Sequence, residues 1–177
     1  MTEIVQDGTP VLRQIANEVA LEEIPTDHVQ NILNKMRSAL DTQDDGVAIA
    51  APQIGEPLRI FIVSPKVWLP QEEGGHAIEV PDAPMHHRVF INPRIINQSK
   101  KTDMMDEGCL SVRWKYGKVR RSKQATITAY DEHGESFTLG ASGLLAQIFQ
   151  HETDHLDGVL FIDKATEVID LPPSKQT

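Results

Sequence analysis

Two histidines and a glutamate within five residues carry the densest chemistry in the chain. Between Gln150 and Gly158 the sequence runs Gln-His-Glu-Thr-Asp-His-Leu-Asp-Gly. On a helix, His151 and His155 stand one turn apart on a single face, roughly 6 Å along the axis, which suits two imidazoles gripping one ion. Glu152 lies about 100° round the helix, near enough to meet a water on that ion without ligating it. A His-Glu-x-x-His helix therefore reads as two ligands and a general base. Alone, the pattern is only moderately specific, because a histidine pair on an exposed helix face is ordinary polar surface. A catalytic transition-metal site takes three protein ligands and keeps one position open, so a third donor must come from elsewhere. Cys109, in Glu-Gly-Cys-Leu-Ser, is the candidate by type, though spacing does not choose it over Asp163 or Glu167.

The elements that must position these groups follow from apolar periodicity. Ser142 is placed to cap the last helix, in which Leu144, Leu145, Ile148 and Phe149 cover more than one face. Such a helix is buried, so His151, Glu152 and His155 need partners, and the metal reading rises above the surface reading. Gly158 ends it. Upstream, Thr26 or Asp27 caps a scaffold helix whose Val29, Ile32, Leu33, Met36 and Leu40 share one face. After a turn at Asp44-Asp45-Gly46, the small residues of Val47 to Gly55 allow close backbone approach. Composition alone reads that run as a packed, buried strand, and Gln53 just after it needs partners if buried. Arg59 to Ser64, Val89 to Pro93 with Ile95 and Ile96, and Ala125 to Tyr130 read as strands. Asp131 to Gly134 is a hairpin turn, with Ser136 to Leu139 returning and Val159 to Ile162 as a final strand. Thr9 to Val19 reads as an N-terminal arm laid on the surface, Pro65 to His87 as a loop, and the tail from Leu171 as disordered. His86, His87 and His133 read as surface or turn residues rather than ligands.

Composition narrows the function further. The 177 residues suit one domain spanning the whole chain. A formal net charge of −9 argues against a nucleic-acid partner held through its phosphates. The basic run Lys115 to Lys123 is short and mixed, and reads as a solvated strand face. A single cysteine permits no internal disulfide and suits a reducing compartment; as a bare residue it is as readily a small buried hydrophobe. No apolar run reaches membrane-span length and the first residues lack a targeting pattern, so a cytoplasmic protein without membrane partners is expected.

Three ordered motifs then bear on one another: Gly46-Val47-Ala48-Ile49-Ala50-Ala51-Pro52-Gln53, Glu107-Gly108-Cys109-Leu110-Ser111 and Gln150-His151-Glu152-Thr153-Asp154-His155. In these the chain resembles the peptide deformylases, up to about Asp163. The expected fold is α+β, with mixed or antiparallel sheets wrapped around a central buried C-terminal helix carrying His-Glu-x-x-His. The resemblance implies that Cys109, His151 and His155 bind the metal, Fe²⁺ in the cell with Zn²⁺, Ni²⁺ or Co²⁺ able to replace it. It implies Glu152 as general base and then acid, with the Gln53 amide and the Leu110 N–H stabilising the oxyanion. The implied substrates are N-formyl-methionyl nascent peptides, with transient ribosome association. No long C-terminal helix of the kind by which some relatives touch the ribosome is expected in this sequence, so that mode of docking is not carried over. Leu144 and Ile148 could line a pocket for the methionine side chain or serve as plain core.

Departures from the family pattern fall at Ala48 and Ile49, where Gly and Leu are usual, and at Arg113, where Pro is usual, followed by Trp114-Lys115-Tyr116. They leave open a deformylase-like metal- or peptide-binding protein with altered substrate or weak activity. A zinc metalloprotease on the same helix would need a third ligand downstream and would leave Glu107 to Ser111 unexplained.

Overall fold

Sheet and helices meet here because one strand buries both of its faces. In the computed structural model, which describes residues 2–68 and 86–172, β1 (Ala48–Ala50) and β2 (Ile60–Val63) pair antiparallel at one edge of a sheet. Ile60 and Ile62 of β2 point to one side and Phe61 and Val63 to the other, and all four are buried. The first pair packs with α1 (Asp27–Asp41), whose Val29, Ile32, Leu33, Met36 and Leu40 are buried on the expected face. The second pair packs with α2 (Gly143–Leu156) through Ala146, Ile148, Phe149 and Leu156.

The sheet continues with β3 (Arg88–Gln98), β6 (Gln124–Tyr130) and β7 (Ser136–Ser142), in the order β1-β2-β3-β6-β7. A second sheet, β4-β5-β8, is made of β4 (Thr102–Gly108), β5 (Lys115–Ser122) and β8 (Thr166–Asp170). Every pairing of named strands is antiparallel, so the fold is α+β with the His-Glu-x-x-His helix buried against the sheets. Phe61 and Phe90 stack with ring centres 4.5 Å apart, and Phe149 meets Phe90 edge-on at 5.4 Å. This aromatic cluster fixes α2 to the sheet. Ala48 and Ala50 face the same side and are small enough to let the helix come close.

Several expectations are corrected. The arm from Thr9 to Val19 is no surface layer: Leu12, Ala16 and Val19 are buried, and the Ala16 N–H donates to Leu156 O at 2.8 Å. Val159 to Ile162 is not a strand. Leu160 and Phe161 fill a small third core, and the chain turns there because Asp163 Oδ2 accepts the Leu160 N–H at 2.8 Å. The last strand is β8, whose residues are all exposed, so no alternation marked it. Gly158 makes the turn after α2 with φ 74°, and a Cβ there would come within 2.8 Å of the Arg13 backbone. β3 runs through Pro93 by a bulge in which Asn92 takes φ 51° and its side chain bonds both backbone groups of Val19 at 2.8 Å. Neither expected cap makes a side-chain capping bond: Ser142 stands at the N-cap of α2, and the Thr26 hydroxyl donates to Glu23 O instead. His87 is not a plain surface residue but half-buried, 3.0 Å from Asp41. Pro65–Trp68 is a short 3-10 turn. The rest of the expected loop before His86, and the tail beyond Pro172, lie outside the described residues. Among the described residues no helix is long and apolar enough to cross a membrane.

Candidate metal centre and catalytic cleft

Two elements deliver the three donors. α2 holds His151 and His155 one turn apart with ring centres 5.0 Å from each other. The turn leaving β4 brings Cys109 against them. A glycine must precede it, because a Cβ at Gly108 would meet the Tyr116 ring at 2.9 Å. Cys109 Sγ lies 3.1 Å from His155 Nε2, and the donor atoms of Cys109, His151 and His155 all fall within 4.8 Å of one another. Asp163 and Glu167, the rival third donors, are elsewhere: Asp163 pairs with Arg13 at 2.5 Å and Glu167 is exposed on β8.

The donor set fits a divalent transition ion. One sulfur and two imidazole nitrogens converge in a mostly buried pocket, a combination suited to iron or zinc and ill-suited to magnesium or calcium. His151 Nδ1 sits 2.9 Å from Glu107 Oε2, which leaves Nε2 for the ion. His155 presents Nε2 to the sulfur, while its buried Nδ1 has no hydrogen-bond partner among the described residues.

Behind the donors lies a charge relay that the sequence reading missed. Arg121, only 4% exposed, grips Glu107 with two bonds, Nε to Oε1 at 2.7 Å and Nη2 to Oε2 at 2.9 Å. Its Nη1 donates to Asp154 at 2.6 Å, and Lys164 caps Asp154 at 2.7 Å. The run Lys115 to Lys123 is thus not a wholly solvated face. Gly117, Val119 and Arg121 alternate inward along β5, and an arginine at an inward position signals a buried ion pair. Burial pushes the Glu107 carboxyl up, but hydrogen bonds from His151 and Arg121 outweigh it and bring its pKa down to about 2.

Two outcomes follow for stability. Arg121→Met is expected to destabilise the protein by about 3 kcal/mol in urea unfolding, because it strands the buried Glu107 charge. Glu107→Gln in the same chain should recover part of that loss. With a folded pKa near 2 against an ordinary 4.5, Glu107 contributes stability that is fully present above pH 4.5 and lost as pH falls through 2. That contribution amounts to about 3 kcal/mol. Urea titrations of metal-free protein from pH 6 to pH 2 should therefore show a fall that Glu107→Gln flattens.

Glu152 is buried beside the donors, and its Oε2 has no hydrogen-bond partner among the described residues. Burial raises its pKa to about 7 against the opposing charge of His151. Gln53 is also buried: its Oε1 accepts the Ala50 N–H at 2.8 Å, and its Nε2 donates to Ser111 Oγ at 3.2 Å and to Cys109 Sγ at 3.5 Å. Ser111 is a second residue whose part was not anticipated. No described residue accepts from the Leu110 N–H. Glu152, Gln53 and Leu110 border a cleft of about 290 Å³ that also takes in Ala48, Arg113, Leu144 and Ile148, with Ser111 buried behind Gln53. Ile148 is buried in its depth and Leu144 is 41% exposed at its mouth, so Leu144 is not core.

An antiparallel α+β fold that brings a His-Glu-x-x-His helix to a strand-end cysteine defines a mononuclear metal-site protein. The chain belongs to the polypeptide deformylase family, whose model matches residues 1–169. It is 36% identical over 184 residues to peptide deformylase 1A, chloroplastic, of Solanum lycopersicum, covering 97% of this chain and 65% of that one. To peptide deformylase 2 of Clostridium acetobutylicum it is 36% identical over 147 residues, covering 83% and 85%. Among solved structures, a class I type b peptide deformylase from Acinetobacter baumannii bound to Met-Ala-Ser superposes with a TM-score of 0.78 at 29% identity, over 93% of this chain and 99% of that one. The chain spans 65% and 61% of the length of the tomato and Arabidopsis thaliana relatives.

Proposed function

We propose that the chain hydrolyses the N-formyl group from the N-terminal methionine of newly made polypeptides, releasing formate, with Fe²⁺ as its ion and Zn²⁺, Ni²⁺ or Co²⁺ able to replace it. The observation that carries this reading is the convergence of Cys109, His151 and His155 within 4.8 Å, with Glu152 beside them. When bound, a divalent ion supplies Lewis acidity, bringing the pKa of water down towards about 7 and drawing charge from a carbonyl oxygen.

The chain's own residues do the rest. Glu152 takes the proton of the attacking water and returns it to the leaving amine, which departs poorly unless protonated. A pKa near 7 suits both transfers. As charge grows on the formyl oxygen, the Leu110 N–H and the Gln53 amide donate to it, Gln53 giving up its long contact to Cys109 Sγ. Two such donors lower the barrier by about 3 kcal/mol each. Ser111 keeps the amide turned towards the cleft, and Ile148 with Leu144 forms an apolar wall for the methionine side chain. The relative that holds Met-Ala-Ser supports a product peptide with a free methionine amine. Transient work at the ribosome belongs to the same proposal, since formylated chains emerge there. So does a cytoplasmic setting, whose reducing poise keeps the Cys109 sulfur unoxidised and able to bind the ion.

The second reading is a relative that keeps metal and peptide but reacts weakly. It is favoured by Ala48 and Arg113, which put a methyl and a long side chain on the cleft where the family pattern has Gly and Pro. Formate release from a formyl-Met peptide, assayed anaerobically with Fe²⁺ and again with Ni²⁺, decides between them. Turnover with either ion supports hydrolysis; metal-loaded protein that releases no formate leaves only the binding role.

A further inference from the structure

We propose that a groove on the face of α2 turned away from the metal centre binds a phosphate group, as free phosphate or on a nucleotide. Gln150, Thr153, Asp154 and Asp157 line its floor. They follow the i, i+3, i+4, i+7 spacing of a single helix stripe, roughly 10 Å long. His151 and Glu152 belong to the cleft on the other side, and no residue lines both openings. The groove has a volume of about 820 Å³, with walls from β3, β5 and Lys164.

Its charge runs against that of the chain. Arg59, Arg94, Arg120 and Lys164 open onto it with Arg121 in its wall, and its lining carboxylates are Asp154 and Asp157 alone. A chain of net charge −9 thus sets five of its 17 Lys and Arg residues around one opening. Such a concentration of one sign draws in anions. Both carboxylates are already neutralised, Asp157 by Arg59 and Asp154 by Arg121 and Lys164.

Arg59 is set for an anion before one arrives. Its side chain is 13% exposed. Nε donates to Pro93 O at 3.3 Å, and Nη1 donates to Asp157 Oδ1 at 2.7 Å and to Leu156 O at 3.5 Å. Nη2 has no acceptor among the described residues, which leaves one edge of a fixed guanidinium for a ligand. Arg94 follows Pro93, and its pair with Glu18 at 2.6 Å is more than half exposed at both ends. A pair of that kind contributes little and yields readily to a doubly charged ligand. Arg120 has no carboxylate partner among the described residues and bonds Thr102 Oγ1 at 3.3 Å. On the floor, Thr153 Oγ1 is buried without a partner among the described residues. A hydroxyl there can donate to a phosphate oxygen. Donors from the floor and from two walls suit the three oxygens of a phosphate better than the two of a planar carboxylate.

Thermal unfolding of the intact metal-loaded protein tests the site. Titrated with inorganic phosphate against sodium chloride of equal ionic strength, Tm should rise saturably, by roughly 3 °C at ten times the Kd. AMP in place of phosphate separates the sources: a larger shift at equal concentration assigns the site to nucleoside phosphates, an equal or smaller one to free phosphate. Arg94→Gln should weaken the binding roughly 10-fold, as the loss of one charged hydrogen-bond donor does. The double variant Arg94→Gln, Arg120→Gln should lose the saturable shift altogether. Both arginines are exposed, so each variant should keep the parent's Tm in chloride and its metal content. No saturable rise in the parent overturns the proposal. A rise that the double variant retains in full also overturns it, since the anion then sits elsewhere, the metal centre included.

Discussion

Glu152→Gln is expected to leave metal stoichiometry unchanged while lowering kcat for formate release by roughly 10³-fold, within the range by which a positioned general base accelerates reaction. The substitution is close to isosteric, and the Glu152 side chain is not among the converging donors, so the ion keeps its three ligands. What is lost is the proton acceptor. Oε2 is buried without a partner among the described residues, so its basicity is spent on nothing else in the resting protein. Replacing it with an NH₂ group puts an unpaired donor in the same place, at a cost of about 1–3 kcal/mol in stability. Atomic absorption and a formate assay on one preparation separate the two effects. Parent-like turnover in this variant would exclude Glu152 as the base; lost metal would mean that it also helps hold the ion.

How much of this arrangement the sequence revealed depends on the range of the interaction. The helix carrying His151 and His155 was legible because its apolar residues cover several faces, and that same burial made its polar residues conspicuous. The α1 face was legible by spacing alone. β8 was not, since Val168 and Ile169 alternate with nothing buried and the strand exists only because β5 offers an edge. Val159 to Ile162 looked like a strand because composition reports burial, not the turn that Asp163 imposes by capping the Leu160 N–H.

The relay Lys164–Asp154–Arg121–Glu107–His151 was hidden for a different reason. Its members come from β4, β5, α2 and the segment after α2, and no local pattern joins them. Arg121 sat in a run whose other cations are largely solvated, and only the two-residue period of β5 sets it apart. The site therefore rests on pairings between distant segments, whereas the donors themselves are announced by residue type. Gln53 shows both sides: its burial was foreseeable from the small residues before it, but its hold by Ser111 needed the fold.

Cys109→Ser is expected to weaken metal binding by well over the roughly 10–100-fold typical of losing an outer partner such as Glu107. The sulfur is the only donor that brings negative charge to the three-ligand set, and a metal-binding cysteine acts as thiolate. A serine hydroxyl at neutral pH is uncharged and hard. The surroundings are built for a charged acceptor: the Ser111 N–H reaches Sγ at 3.4 Å and Gln53 Nε2 at 3.5 Å. Those donors would face a shorter, neutral oxygen and help it little. The fold itself should survive, because Cys109 is half-buried and its neighbours in the third core, Val112 and Phe161, are untouched. Competition against a chelator, with Zn²⁺ and with Co²⁺, measures the affinity. The Co²⁺ form should also lose the thiolate charge-transfer absorption of the parent. Unchanged affinity together with an unchanged spectrum would mean that the third ligand is not Cys109, yet Asp163 is engaged by Arg13 and Glu167 lies exposed on β8, so the structure offers neither as a substitute.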